Sequence, residues 1–63
     1  MEEKTYKLVV VSNKNSKIVE EQVFFEIDVL QAAVKYLDIS IDNGAALEYE
    51  IYMLDYTGAW IVI

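Results

Sequence analysis

Two carboxylate pairs, Glu20/Glu21 and Glu48/Glu50, and the run Asp38-Ile39-Ser40-Ile41-Asp42-Asn43-Gly44 hold the side chains whose types and spacing could support chemistry. Paired carboxylates can do acid–base work, but that needs burial or a close like charge to separate their protonation states. A solvated edge strand supplies no burial and screens the two charges from each other. The Asp38/Ser40/Asp42 spacing matches the first, third and fifth places of a calcium loop. The sixth place is then Asn43 in place of glycine, and the twelfth is Tyr49 in place of a bidentate glutamate, so a helix end followed by a turn accounts for the same residues. With no histidine or cysteine in the chain, the usual general base, thiol nucleophile and nitrogen or sulfur metal ligands are missing. Lys35 falls on an outer helix face, where its amine stays solvated. Gly44 and Gly58 are too far apart for a phosphate loop. The expectation is a noncatalytic protein with no cofactor and no metal.

Charge narrows the partners. The net charge is −6, and it is unevenly distributed: residues 18–63 carry nine acids against Lys35 alone, a net −8. Nucleic-acid binding runs on clustered lysine and arginine that release counterions, and this chain has no arginine. Direct nucleic-acid binding is therefore not expected. The chain shows no signal-peptide pattern, and no apolar run approaches the roughly 18–20 residues of a membrane span. A cytoplasmic protein with no membrane partner is the resulting expectation. The apolar fraction of 56% is high against an average near 45–50%. In a domain this small the excess points to an apolar docking face or a homodimer.

The elements that must position these groups turn on Ile18 to Ile39. Val23, Ile27, Leu30, Val34, Leu37 and Ile41 are spaced by fours and threes, as on a helical seam. Against one long helix stand the β-branched and aromatic residues of "KIVEEQVFFEI", the polar "SNKNSK" before them, and a capping-box pattern, Asp28 with Gln31. The reading is strand 1 over 5–12, a turn over 13–16, strand 2 over 17–27, a helix over 29–40 closed at Asn43 and Gly44, strand 3 over 46–54, a turn at "DYTG", and strand 4 over 59–63. The alternative, in which residues 18–27 extend the helix, stays open.

The near-continuous apolar runs "KLVVV" and "WIVI" read as strands covered on both sides, and the acids of strands 2 and 3 read as edge protection. The expected fold is a single α+β domain over residues 1–63. It has a four-stranded mixed sheet in ββαββ order, spatial order 2-1-4-3, a parallel central pair, and one helix on one face. This layout, with "TYKL" in strand 1 and "DNG" after the helix, resembles the immunoglobulin-binding domains of protein G. The resemblance implies topology. Antibody binding does not carry over, because the tryptophan those domains use on strand 3 has no counterpart in "LEYEIYML"; Trp60 lies on strand 4.

One helix covers one side of such a sheet. Leu30, Ala33, Val34, Leu37 and Ile41 form its inward stripe, and Leu47, Tyr49, Ile51 and Met53 form the core side of strand 3. Glu48, Glu50, Tyr52 and Leu54 then face outward, beside apolar residues of strands 1 and 4. Aromatic residues within a carboxylate rim suit a protein interface, and the partner-binding residues expected are Glu20, Gln22, Glu48, Glu50, Tyr52, Tyr56 and Trp60. The functional expectation is a small acidic protein–protein interaction module. Its sharper form is a DNA mimic that inhibits a basic nucleic-acid-binding or defence protein of a host, as phage inhibitors do; the likeness to uracil-DNA glycosylase inhibitors is one of size and acidity. The alternative is a structural homodimer with no further ligand.

Overall fold

The computed structural model describes residues 4–63. Strand β1 (Tyr6–Ser12) turns into β2 (Ile18–Phe24), helix α1 (Ile27–Asp42) follows, and β3 (Leu47–Leu54) and β4 (Trp60–Val62) complete the chain. The opening ambiguity resolves as strand followed by helix. Glu26 is extended at φ −126°, ψ 131° and makes no side-chain cap bond; the first intrahelical bond runs from the Leu30 amide to the Glu26 carbonyl at 3.2 Å. The Asp28–Gln31 capping box does not form, because the helix has already begun at Ile27. Asp28 sits in its first turn, where a carboxylate favours the positive end of the helix dipole.

The helix ends in a Schellman arrangement. The Ala45 amide donates to the Ser40 carbonyl and the Gly44 amide to that of Ile41, both at 3.0 Å. Gly44 takes φ 99°, a backbone conformation that costs L-residues with a Cβ. The β3–β4 turn uses Gly58 in the same way, at φ 89°. There the Asp55 carboxylate accepts from the Thr57 hydroxyl at 2.6 Å and from the Thr57 and Ala59 amides at 2.9 Å each. These donors, the Thr57 hydroxyl foremost, hold the Asp55 carboxyl below its ordinary pKa.

The sheet corrects the expected topology. Its order is β2-β1-β3-β4 and every neighbouring pair is antiparallel. The central pair is therefore β1 with β3, and neither the 2-1-4-3 order nor the parallel β1–β4 pair read from the apolar runs, and shared with the protein G domains, is present. Length decides this. β4 spans three residues, whereas β3 pairs with β1 along seven positions, from Tyr6 opposite Met53 to Ser12 opposite Leu47. Glu48 and Glu50 do not mark an edge, since they alternate with core residues and point to the uncovered side of a central strand. β2 and β3 run parallel with β1 between them, so α1 closes a split β-α-β crossover.

The core lies between α1 and one sheet face. Tyr6, Leu8, Val10 and Leu30 are buried; Phe24, Ala33, Val34, Leu37, Leu47, Tyr49, Ile51 and Met53 pack around them. Tyr49 anchors the helix further, its hydroxyl donating to the Asp38 carboxylate at 2.7 Å. The radius of gyration is 12.5 Å, against about 10.6 Å for a compact chain of this length. Much apolar surface thus stays open.

An ideal Cβ at Gly44 or Gly58 meets nothing within 4 Å, so replacing either glycine strains the backbone alone. Gly44→Ala and Gly58→Ala are each expected to cost about 1 kcal/mol, read as a lower urea midpoint with an unchanged m-value. A change in m-value would mean that the folded state itself had loosened.

Candidate protein-binding sheet face

In an antiparallel sheet, directly opposed residues share a face. The registers therefore assemble the side away from α1 row by row. The first row reads Val23, Lys7, Tyr52, Val62; the second reads Glu21, Val9, Glu50; the third reads Ile18, Val11, Glu48. Trp60, opposite Leu54, joins the end of the first row. The register shifts between Val10 and Val11, where β2 accommodates Val19 as an extra residue.

Lys7 is the hub of this face. Its ammonium lies 4.6 Å from the Trp60 ring centroid, 5.4 Å from that of Tyr52 and 3.5 Å from Glu21 Oε1. Aromatic faces attract cations through the ring quadrupole, by roughly 0.5–1 kcal/mol at exposed sites. The lysine stem covers apolar surface while its charge meets both rings and a carboxylate. Tyr52 in turn donates its hydroxyl to Glu50 Oε2 at 2.9 Å. The result is a fixed array: two aromatic rings and a lysine at one end, two valines in the middle, and Glu21, Glu48 and Glu50 around them.

The expected partner-binding residues divide among three places. Glu48, Glu50, Tyr52 and Trp60 meet on the open face. Glu20 and Gln22 stand opposite Val10 and Leu8 on the helix side, where the Gln22 amide donates to Glu20 Oε1 at 2.6 Å. They flank a shallow groove floored by Leu8 and Val10 and bordered by Tyr36. Tyr56 projects from the β3–β4 turn and is fully exposed. Lys7 and Glu21 were not among the expected residues. Alternation along β1 already sets Lys7 on the side of Val9 and Val11, and its place opposite Tyr52 follows from β1 pairing with β3.

No group of three or more metal-ligating side chains converges among the described residues. Asp38, Ser40 and Asp42 lie in α1, with Asp38 bound to Tyr49 and the Ser40 hydroxyl donating to the Tyr36 carbonyl at 3.2 Å. No helix among the described residues is long and apolar enough to cross a membrane.

Accepting the Tyr52 proton donor, Glu50 raises the Tyr52 pKa above the ordinary tyrosine value; Asp38 does the same to Tyr49. A raised folded-state pKa means that the bond contributes below the unfolded tyrosine pKa and is lost as pH rises through the folded one. In an alkaline titration followed by NMR, Glu50→Gln should bring Tyr52 down towards free tyrosine and leave Tyr49 elevated. Equal titration of Tyr52 in both proteins would show that the bond does not persist in solution.

Compared with models of known protein families, with curated proteins and with solved structures, the chain matches none.

Proposed function

We propose that this chain is a noncatalytic protein-binding module whose uncovered sheet face docks on a basic protein surface. The carrying observation is the composition of that face, an apolar and aromatic strip enclosed by Glu21, Glu48 and Glu50 and relieved only by Lys7. The aromatic end and the valines beside it exclude water, and charge at the rim steers the partner and speeds its arrival. Sequence composition supports the noncatalytic reading, since a chain without histidine or cysteine lacks the commonest general base and the thiol nucleophile.

Charge favours a basic partner over a second copy on this face. Two copies face to face would set six carboxylates and two lysines against one another, and each lysine is already engaged within its own chain. A nucleic-acid-binding groove is the sharper candidate, because it presents the lysine and arginine surface that the acidic body complements. In this reading the protein inhibits by occupying the groove in place of DNA.

A photoreactive residue at position 9, in the middle of the face, tests the proposal against the same residue at position 36 on the helix. Position 9 should crosslink to a basic protein. The yield should fall in 0.5 M salt, where the Debye length is about 4 Å, and fall again when a short DNA duplex competes. Crosslinking from position 36 alone, or salt-insensitive capture of an acidic protein, would defeat the proposal.

A further inference from the structure

Among the described residues, nothing pairs with the outer edge of β4, and this edge differs from that of β2. The Asp55 amide donates to the Ala59 carbonyl at 2.9 Å and the Ile63 amide to the Ile51 carbonyl at 3.0 Å, so residues 59, 61 and 63 direct their backbone groups to β3. By the alternation of an antiparallel ladder, Trp60 and Val62 direct theirs outward. From Ala59 to Ile63 there is no charged residue, and Trp60, Ile61, Val62 and Ile63 are 37%, 46%, 59% and 61% exposed. Shortness, charges and bulges are among the devices that keep edge strands from pairing. β2 has charges and a bulge, in Glu20, Glu21 and at Val19; β4 has no charge and no bulge, and only its three-residue length guards it.

We infer that β4 pairs antiparallel with the β4 of a second copy, joining two sheets into one of eight strands. The register follows from which residues face outward. With Ile61 on the twofold axis, Trp60 of each copy lies opposite Val62 of the other, and these two pairs exchange four backbone hydrogen bonds. Ile61 meets its own copy in the closer, non-hydrogen-bonded position on the helix side. The strip is thus self-complementary in shape and places no like charges opposite each other, although each chain carries −6. A twofold pairing centred in β2, at Glu20 or Glu21, would oppose carboxylates instead.

The axis runs perpendicular to the sheet, so both open faces lie on the same side. The dimer therefore presents two copies of the face, and a partner with two matching basic patches would bind it with avidity. The pairing itself holds whatever occupies that face.

Solution mass across a concentration series tests the inference. The wild type should rise from 7.3 kDa towards twice that value. Val62→Pro removes an outward amide and leaves the β3 ladder intact; Ile61→Lys sets two ammonium groups together on the axis. Each should raise the dimer dissociation constant at least tenfold, with the far-UV circular dichroism of the monomer unchanged. Isotope-filtered NOEs in wild type should connect Trp60 of one copy to Val62 of the other. A wild type that stays at 7.3 kDa up to millimolar concentration would overturn the inference, as would a dimer that lacks these NOEs and ignores both substitutions.

Discussion

A single sixteen-residue helix packed on a four-stranded sheet can cover only one of its faces, and that constraint governs the rest of the molecule. Leu30, only 2% exposed, seats against Tyr6, Leu8 and Val10 and makes them the core. Their neighbours Lys7, Val9 and Val11 must then face the other way, because successive strand residues alternate. The more firmly α1 holds one side of β1, the more fully the other side is committed to solvent or to a partner.

The β1–β3 pairing converts this exposure into a defined surface. Seven opposed positions fix the register, and a shift of one residue would turn every side chain to the wrong face. Within that register Lys7 meets Tyr52 directly, and β4, held against β3, carries Trp60 over the same ammonium. Glu21 and Glu50 complete the array from either side. Strands β1, β2, β3 and β4 all contribute, so the surface exists only in the folded sheet. It can be preorganised for binding at little further entropic cost.

The elements were legible in the sequence because their signals are local. Apolar patterning marked the strands and Gly44 and Gly58 marked turn positions where the backbone takes positive φ, but the strand-to-helix boundary was read too late, at Asp28, where the helix already runs from Ile27. The order of the strands was not legible. "WIVI" is as apolar as "KLVVV", but apolar character follows from two-sided burial only when a strand is long enough to be central, and β4 is three residues long. Glu48 and Glu50 misled for the complementary reason, since an acid on a central strand is tolerated wherever one face of the sheet is uncovered. The candidate site was half legible. Tyr52, Glu48 and Glu50 came from alternation alone, whereas the place of Lys7 opposite Tyr52 depended on β1 pairing with β3, and the sides taken by Glu20, Glu21 and Gln22 depended on the bulged β1–β2 register.

If a partner covers the sheet face opposite α1, that face must lie open in the isolated protein. Methyl NMR with a soluble paramagnetic probe measures this directly. In dilute protein the methyls of Val9, Val11, Val23 and Val62 should broaden strongly, while those of Leu8, Val10 and Leu30 stay protected. Protection of Val9 and Val11 to the same degree as Val10, at every dilution, would mean that the face is already covered within the protein's own fold or assembly and is closed to a partner.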